Sequence, residues 1–170
     1  NYEDFLADIQ SKTRQEPTEP TWFFSGYDCD SLALENISTF TDFFLPFFQK
    51  NTNARLELRT KSVNITPLLK HTPSENIVTA FSFTPKEISI QLEHGVPSVS
   101  SRIRAMQKLT EQGWQVGLRV DPIIDCQDFE KRYQGLFQDI FSSMPVDKIH
   151  SVSLGAFRMP TNFFKKMEKL

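Results

Sequence analysis

The sequence predicts an α/β protein in which helices cover a parallel sheet. Five short apolar segments recur along the chain, and turns and segments of helical periodicity lie between them. The spacing between successive strands leaves room for a crossover connection, which parallel neighbours need and a hairpin does not. This alternation is typical of a parallel sheet with its helices outside.

Size and composition are those of one ordered domain. The chain has 170 residues, 39% hydrophobic and 24% charged, so we expect one domain over 1–170 that begins with a helix and linker over 1–18. The net charge of −2 excludes a general attraction to nucleic acid. Without an apolar run of roughly 20 residues, and with two cysteines, the chain is predicted to be cytoplasmic and to make no membrane contact.

The first helix and first strand are marked by periodicity and by turn residues. Apolar residues share one face of a helix over Tyr2–Lys12. The aromatic segment Thr21–Phe24, bounded by Pro20 and Gly26, is predicted to be a buried strand.

Five phenylalanines at helical spacing predict the next helix. Ser38 or Thr39 is its expected cap, and Pro46 is expected to kink it. The stripe consists of Phe40, Phe43, Phe44, Phe47 and Phe48.

Two strands and two short helices are predicted next. Ala54–Arg59 alternates leucines with charged residues and is the second strand. Ile65–Leu69 is predicted to be a short helix, and Ile77–Phe83 the third strand. Pro85 is expected at the first position of a brief helix.

The following helix has clear boundaries. Ser98 or Ser100 is its expected cap, and Gly113 its left-handed end. Trp114–Val120 is the predicted fourth strand.

The last third repeats the pattern. A helix that Pro145 stops precedes a fifth strand over Ile149–Leu154, and a basic helix is expected to end at Leu170. The apolar face of the first of these helices comprises Phe129, Tyr133, Leu136, Phe137, Ile140 and Phe141.

Polar residues follow each strand, at the edge where parallel α/β sheets bind ligands. Alone, any one of them is best explained as a solvated loop residue. Together they predict a site for a polar small molecule. They are Tyr27, Asp28, Cys29, Asp30, Lys61, Ser62, Ser82, Thr84, Asp121, Gly155 and Arg158.

Two of these residues suggest specific chemistry. Lys61 can reach a carboxylate or phosphate, although a solvated lysine is the simpler interpretation. Cys29 lies between two aspartates, whose charge favours a neutral thiol suited to hydrogen-atom donation, although its position alone favours a small structural residue. No metal-ligand spacing and no hydrolase motif occurs, which leaves hydrolases and metalloproteases without support.

Six strand-end segments, taken in order, resemble the spore photoproduct lyase family of radical S-adenosylmethionine enzymes. The resemblance runs from about Trp22 to Arg158. The segments are Gly26-Tyr27-Asp28-Cys29-Asp30-Ser31-Leu32-Ala33, Arg59-Thr60-Lys61-Ser62, Phe81-Ser82-Phe83, Glu93-His94-Gly95-Val96-Pro97-Ser98 with Arg102, Val120-Asp121-Pro122-Ile123-Ile124, and Ser153-Leu154-Gly155 with Arg158.

The resemblance implies a partial parallel (β/α) barrel with about five of the family's six units. It also implies radical cleavage of S-adenosylmethionine at a [4Fe-4S] cluster, and repair of a thymine dimer in DNA. The chain has no CxxxCxxC motif. We therefore expect the cluster only in a full-length protein with a preceding unit, DNA contact through segments outside this chain, and no activity of the chain alone.

The resemblance also assigns site residues. Lys61 and Ser82 match residues that contact the cofactor, and Cys29 occupies a cofactor-contacting serine position. The family's hydrogen-donating cysteine stands where this chain has Tyr27, so Cys29 or Tyr27 is the catalytic candidate, and no metal ligand is assigned. The alternative function is a non-catalytic α/β module for a nucleotide-like ligand, and exposed sheet edges make a homodimer an option.

Overall fold

All five strands are parallel and are ordered β1-β2-β3-β4-β5, which confirms the predicted α/β class. The computed structural model describes residues 1–15, 19–26 and 29–169. The strands are β1 (Thr21–Ser25), β2 (Ala54–Thr60), β3 (Ile77–Ser82), β4 (Gln115–Ile123) and β5 (Ile149–Ala156).

The sheet curls into half a barrel. In a flat sheet, four spacings of about 4.8 Å would separate β1 from β5 by about 19 Å. The rings of Trp22 on β1 and His150 on β5 nevertheless lie 5.8 Å apart between centroids. The sheet therefore has a concave face, toward which both edge strands turn.

Seven α-helices accompany the strands in the described part of the chain, and two single 3₁₀ turns occur at Leu68–Lys70 and Val146–Lys148. The helices are α1 (Tyr2–Gln15), α2 (Glu35–Ser38), α3 (Phe40–Lys50), α4 (Lys86–Leu92), α5 (Val99–Glu111), α6 (Phe129–Ser143) and α7 (Thr161–Met167).

Alternation along β2 separates two environments. Leu56 and Leu58 belong to the hydrophobic core between the sheet and the helices. Glu57 and Arg59 line a cavity on the concave face. The core is closed by large, fully buried side chains, among them Leu45, Phe48, Phe81, Met106, Leu109 and Leu118.

The structure corrects the prediction of a buried first strand. None of the residues of β1 is buried, and Phe24 is 62% exposed. The reason is that β1 pairs only with β2 and forms an edge of the described sheet.

Prolines explain two further corrections. The helix predicted over Ile65–Leu69 is only the turn at Leu68–Lys70, because Pro67 disfavours a helical conformation at the residue before it. Pro85 caps α4 with an extended ψ of 142° instead of occupying its first turn.

Other differences concern caps and ends. Thr39 precedes α3 in a left-handed conformation, and its side chain makes no capping hydrogen bond. β4 runs past the predicted end to Ile123, and α7 ends at Met167, while Leu170 lies outside the described residues.

The apolar face of α6 is also narrower than predicted. Tyr133, Leu136 and Ile140 are buried, whereas Phe129 and Phe141 are 37% and 39% exposed. The apolar stripe of α6 is wider than the surface that packs against the sheet, so the residues at its two margins remain exposed to solvent.

The termini of α5 follow the prediction. The Ser98 hydroxyl accepts a hydrogen bond from the Ser101 backbone N–H at 3.2 Å, and Gly113 has φ +89°. At Gly113 an added Cβ would meet Pro73 only at ordinary contact distance, so the backbone angle alone requires glycine there.

We predict opposite effects of alanine at two glycines. Gly113→Ala should lower the free energy of unfolding by about 1 kcal/mol, because an L-residue is strained at this φ. Gly135→Ala should raise it by about 0.5 kcal/mol, because Gly135 lies inside α6 and an added Cβ there meets nothing within 4 Å. Urea denaturation of both variants measures the free energy of unfolding. An unchanged value in Gly113→Ala would contradict the first prediction.

Candidate functional site

A pocket of about 320 Å³ lies at the carboxyl ends of the strands. It brings together Cys29, Lys61 and Ser82, the described residues that the family resemblance links to the cofactor. Tyr27, the other catalytic candidate, lies outside the described residues, as does Asp28. The pocket is lined by Gly26, Cys29, Asp30, Arg59, Thr60, Lys61, Ser82 and Asp121.

Asp30 fastens the loop after β1 to the end of β2. Its Oδ1 accepts hydrogen bonds from the Thr60 hydroxyl at 2.6 Å and from the Leu32 backbone N–H at 2.9 Å. Its Oδ2 accepts from the Lys61 backbone N–H at 2.6 Å. These bonds hold the neighbouring exposed thiol of Cys29 at the pocket.

The turn that brings this loop over the sheet requires a glycine. Gly26 has φ +80°, and a Cβ there would lie 2.5 Å from the Ser31 Oγ and 2.6 Å from the Cys29 carbonyl oxygen. Any larger residue would push the loop, and with it Cys29, away from its place.

Lys61 is paired with Glu93, which the sequence did not indicate. Its Nζ lies 2.7 Å from Glu93 Oε1, and the Lys61 side chain remains 40% exposed. Glu93 Oε2 accepts from Arg102 at 2.6 Å and from the Ser89 hydroxyl at 2.6 Å. The Lys61 ammonium therefore has a fixed position, and it keeps N–H groups that are not bonded to Glu93.

Arg102 anchors this carboxylate from the interior. The residue is fully buried. Besides bonding to Glu93, it donates to the Ser82 carbonyl at 2.8 Å, the Pro97 carbonyl at 2.9 Å and the Ser89 hydroxyl at 2.8 Å. It thus ties the end of β3 to α4, to the loop before α5 and to α5 itself.

The charge state of Glu93 follows from these contacts. Burial alone would raise the pKa of its carboxyl, but the hydrogen bonds from Lys61, Ser89 and Arg102 outweigh burial and lower the pKa from 4.5 to about 2. Glu93 is an anion at every physiological pH.

A second cavity of about 350 Å³ lies on the concave face and shares Arg59 and Asp121 with the pocket. Its wall contains a buried, two-point ion pair in which Arg119 donates to Glu57 at 2.6 and 3.0 Å. The cavity is lined by Phe24, Ser25, Glu57, Arg59, Arg119, Asp121, Ser151, Val152 and Ser153.

Two glycines make room for these side chains. A Cβ at Gly117 would lie 3.0 Å from an Arg119 nitrogen, and one at Gly155 would overlap the Asp121 carboxylate. Burial lowers the pKa of His150, and the charges of Arg119 and Arg55 lower it further, against the opposing charge of Glu57.

The sequence pattern does not identify Glu57, Arg59 and Arg119 as site residues. Their charged side chains alternate with leucines, which is also the pattern of a strand with one solvated face. A parallel strand in an α/β protein is normally covered on both faces. Charged residues within such a strand therefore indicate a polar cavity on one face of the sheet, and this was the signal in the sequence.

The described residues contain no cluster of three or more side chains able to hold a metal ion. Cys126 does not line the pocket that contains Cys29. No helix in ranges 1–15, 19–26 and 29–169 is long and apolar enough to cross a membrane.

The chain matches a known family and known structures over nearly its whole length. The spore photoproduct lyase family model matches residues 1–169. The chain is 22% identical over 153 residues to spore photoproduct lyase of Bacillus subtilis (strain 168), a match that covers 90% of this chain and 45% of that protein. It is 22% identical over 138 residues to the Clostridium acetobutylicum protein of the same name, covering 81% of this chain and 41% of the relative.

Solved structures show the same fold. Spore photoproduct lyase complexed with dinucleoside spore photoproduct matches with a TM-score of 0.87 and 20% identity, over 99% of this chain and 50% of that chain. A mutant lyase with bound AdoMet and dinucleoside spore photoproduct matches with a TM-score of 0.86 and 21% identity, again over 99% and 50%. The chain thus spans about half the length of the proteins that it matches.

Glu93 generates a prediction about stability and pH. Because its pKa is depressed on folding, its ionised form stabilises the fold above pH 4.5, and this contribution is lost as the pH falls toward 2. Glu93→Gln should lower the free energy of unfolding at pH 7 by about 2 to 3 kcal/mol, since buried Arg102 loses its counter-charge. The free energy of unfolding of the variant should also decrease less than that of the wild type as the pH falls.

Denaturant unfolding between pH 2.5 and 7 measures both effects. Glu111→Gln, the same change at an exposed position of α5, is the matched control. Equal pH dependence in wild type and Glu93→Gln would contradict the role of this carboxylate.

Proposed function

Because the chain belongs to the spore photoproduct lyase family, we propose that it binds S-adenosylmethionine and serves a radical lyase reaction that repairs thymine photolesions in DNA. The observation that carries this proposal is the pocket at the strand ends, where Cys29, Lys61 and Ser82 meet. The mutant lyase structure of the same fold, with bound AdoMet, supports it.

The residues of the pocket fit the charges of S-adenosylmethionine. The cofactor carries an amino-acid carboxylate and ammonium, a sulfonium cation and a ribose. Lys61 offers the carboxylate an ammonium donor that Glu93 holds in place. The Ser82 hydroxyl suits a ribose hydroxyl, and Asp121 adds a carboxylate to the lining of the pocket.

The role of Glu93 in this proposal is to position Lys61. A lysine side chain has four rotatable bonds, and holding it in one orientation before binding removes an entropic cost of ligand capture. Since Arg102 neutralises Glu93 from inside, the Lys61 ammonium keeps enough positive character to attract a carboxylate.

When bound, S-adenosylmethionine would supply an adenosyl radical that abstracts a hydrogen atom from the lesion, and the electron for its cleavage would come from a one-electron reductant outside this chain. Cys29 lines the pocket with an exposed thiol and is the candidate that returns a hydrogen atom, with Tyr27 as the second candidate. The simpler role for Cys29 is contact with the cofactor in place of a serine. Both roles require its sulfur to face the pocket.

The cysteines of this chain do not fit a [4Fe-4S] cluster. Such a cluster needs three or four thiolates, and the chain has Cys29 and Cys126. We propose that the chain alone does not turn over substrate. The polar lining of the strand-end pocket also fits the second candidate function, a non-catalytic module for a nucleotide-like ligand.

The DNA substrate, the cellular location and the oligomeric state of the chain are also proposals. A DNA lesion is the proposed substrate, by analogy with the lyases whose structures contain dinucleoside spore photoproduct. Cytoplasmic location, and homodimerisation through an exposed sheet edge, stay predictions from the sequence.

The first test measures cofactor affinity. We predict that the 170-residue chain binds S-adenosylmethionine and that Lys61→Ala weakens binding by about 1 to 3 kcal/mol, through loss of a charge-assisted hydrogen bond. Lys108→Ala, on the exposed face of α5, is the matched control. Isothermal titration calorimetry checks this, and equal affinity of all three proteins rules out the role of Lys61.

The second test uses the two cysteines of the chain. Saturating S-adenosylmethionine should slow alkylation of Cys29 by iodoacetamide about tenfold, because the ligand covers its sulfur in the pocket. Cys126 is the internal control and should react at an unchanged rate. Mass spectrometry of the two peptides gives both rates, and parallel labelling of Cys29 with and without ligand would place the cofactor elsewhere.

A further inference from the structure

One oxygen of the Asp121 carboxylate is shared by two arginines. Asp121 Oδ2 lies 3.8 Å from an Nη of Arg59 on β2 and 3.5 Å from an Nη of Arg158, which follows β5. A charge-assisted hydrogen bond between such groups is about 2.8 Å long, so neither contact is fully formed. The two guanidinium cations repel each other, and the close approach of one therefore disfavours the approach of the other.

Arg59 is the interior competitor for this oxygen. It lines both the strand-end pocket and the concave cavity, and its side chain is 26% exposed. Its Nε is buried and has no hydrogen-bond partner among the described residues. The nearby carboxylate of Glu57, at 4.0 Å, is already bonded twice to Arg119. Arg59 therefore has an unused donor in a wall that a bound ligand would touch.

Arg158 is the exterior competitor. It lies in the segment 157–160, the β5–α7 loop, which has no regular secondary structure. Its side chain is 77% exposed. Within the part of the chain that the structure describes, its only hydrogen bond and only ion pair are those with Asp121. This one contact therefore connects the loop to the site.

Asp121 itself is held in place between the two. Its Oδ1 packs so closely against Gly155 that a Cβ on that residue would overlap it. Asp121 also lies in β4, which pairs with β5 directly before the loop begins. The carboxylate is thus the fixed member of the group, and the two longer arginine side chains are the members that can move.

We propose that Asp121 and Arg158 form a latch that draws the β5–α7 loop over the strand ends when a ligand engages Arg59. In the empty chain Arg59 competes with Arg158 for the carboxylate. A ligand oxygen that accepts a hydrogen bond from Arg59 satisfies its donor and weakens its attraction to Asp121, and Arg158 then takes the carboxylate. The proposal rests on the proposed function and adds a regulation of the same site.

The ligand required is a small molecule with carboxylate or hydroxyl oxygens, and S-adenosylmethionine has both. Its binding shifts the loop because the contact with Arg59 changes which arginine holds Asp121. Closure of the loop limits the access of water to the bound ligand, which protects a reactive intermediate from side reactions. The latch thus joins occupancy of the pocket to its shielding from solvent.

Trypsin cleavage reports the state of the latch. Trypsin must take the arginine side chain into its own specificity pocket, so pairing of Arg158 with Asp121 competes with cleavage of the Arg158–Met159 bond. We expect saturating S-adenosylmethionine to slow this cleavage about fivefold, the effect of one exposed charge-assisted hydrogen bond. Cleavage after Arg14, in α1, is the internal control and should keep its rate. Mass spectrometry of the 170-residue chain gives both rates.

Asp121→Asn removes the charge of the latch and keeps its shape. The Arg158–Met159 bond should then be cleaved faster than in the wild type, and S-adenosylmethionine should no longer slow the cleavage. Asp125→Asn, the same change at an exposed position four residues along, should behave as the wild type does. Protection by the ligand that persists in Asp121→Asn would overturn the assignment.

Arg59→Met removes the interior competitor and needs no ligand. Arg158 should then hold Asp121 permanently, so cleavage after Arg158 should be about fivefold slower than in the ligand-free wild type. Damage to the fold would make cleavage faster, so it cannot produce this result. Arg104→Met, at an exposed position of α5, is the matched control and should leave the rate unchanged.

Calorimetry on the same samples separates this inference from the proposed function. A chain that binds S-adenosylmethionine with no change in the cleavage rate after Arg158 overturns the latch alone. A chain that binds no S-adenosylmethionine overturns the cofactor proposal, and the latch is then decided by Arg59→Met. A cleavage rate in Arg59→Met equal to or above that of the wild type contradicts the latch.

Discussion

The arrangement of the pocket depends on one buried guanidinium. Arg102 is fully buried, and each of its three side-chain nitrogens donates to an acceptor supplied by the end of β3, by α4 and its C-cap, or by the loop before α5. A buried cation that loses one such acceptor cannot turn to water instead. The end of β3, α4 and the loop before α5 are therefore held in one arrangement by Arg102. Glu93, which pairs with Arg102, in turn fixes the position of the Lys61 ammonium.

A second buried ion pair organises the concave face in a different way. Glu57 and Arg119 neutralise each other between β2 and β4, and Gly117 leaves space for the guanidinium. Apolar residues of similar volume would often stabilise a fold as well or better. The pair instead keeps the interior of the half barrel polar. Arg59 lies beside it, and Asp121 lies between Arg59 and Arg158, at 3.8 Å and 3.5 Å from their guanidinium nitrogens.

The strands and their order could be predicted because local pattern and chain connectivity decide them. Alternation at Leu56 and Leu58, and the spacing of each crossover, do not depend on distant residues. The partners of Lys61 and Asp30 could not be predicted, because those contacts join segments that are distant in the chain. Cys29, Lys61 and Ser82 lie at one edge of the sheet because strand direction alone determines where parallel strands end.

The wall shared by the two cavities has a thermodynamic consequence. Arg59 and Asp121 face both spaces, so a ligand that changes their orientation or hydration on one side changes the binding free energy on the other. Linkage requires this coupling to be reciprocal: the factor by which one ligand alters the affinity of the second equals the factor by which the second alters the first. Through Arg59 and Asp121, ligand binding in one cavity is therefore coupled to ligand binding in the other.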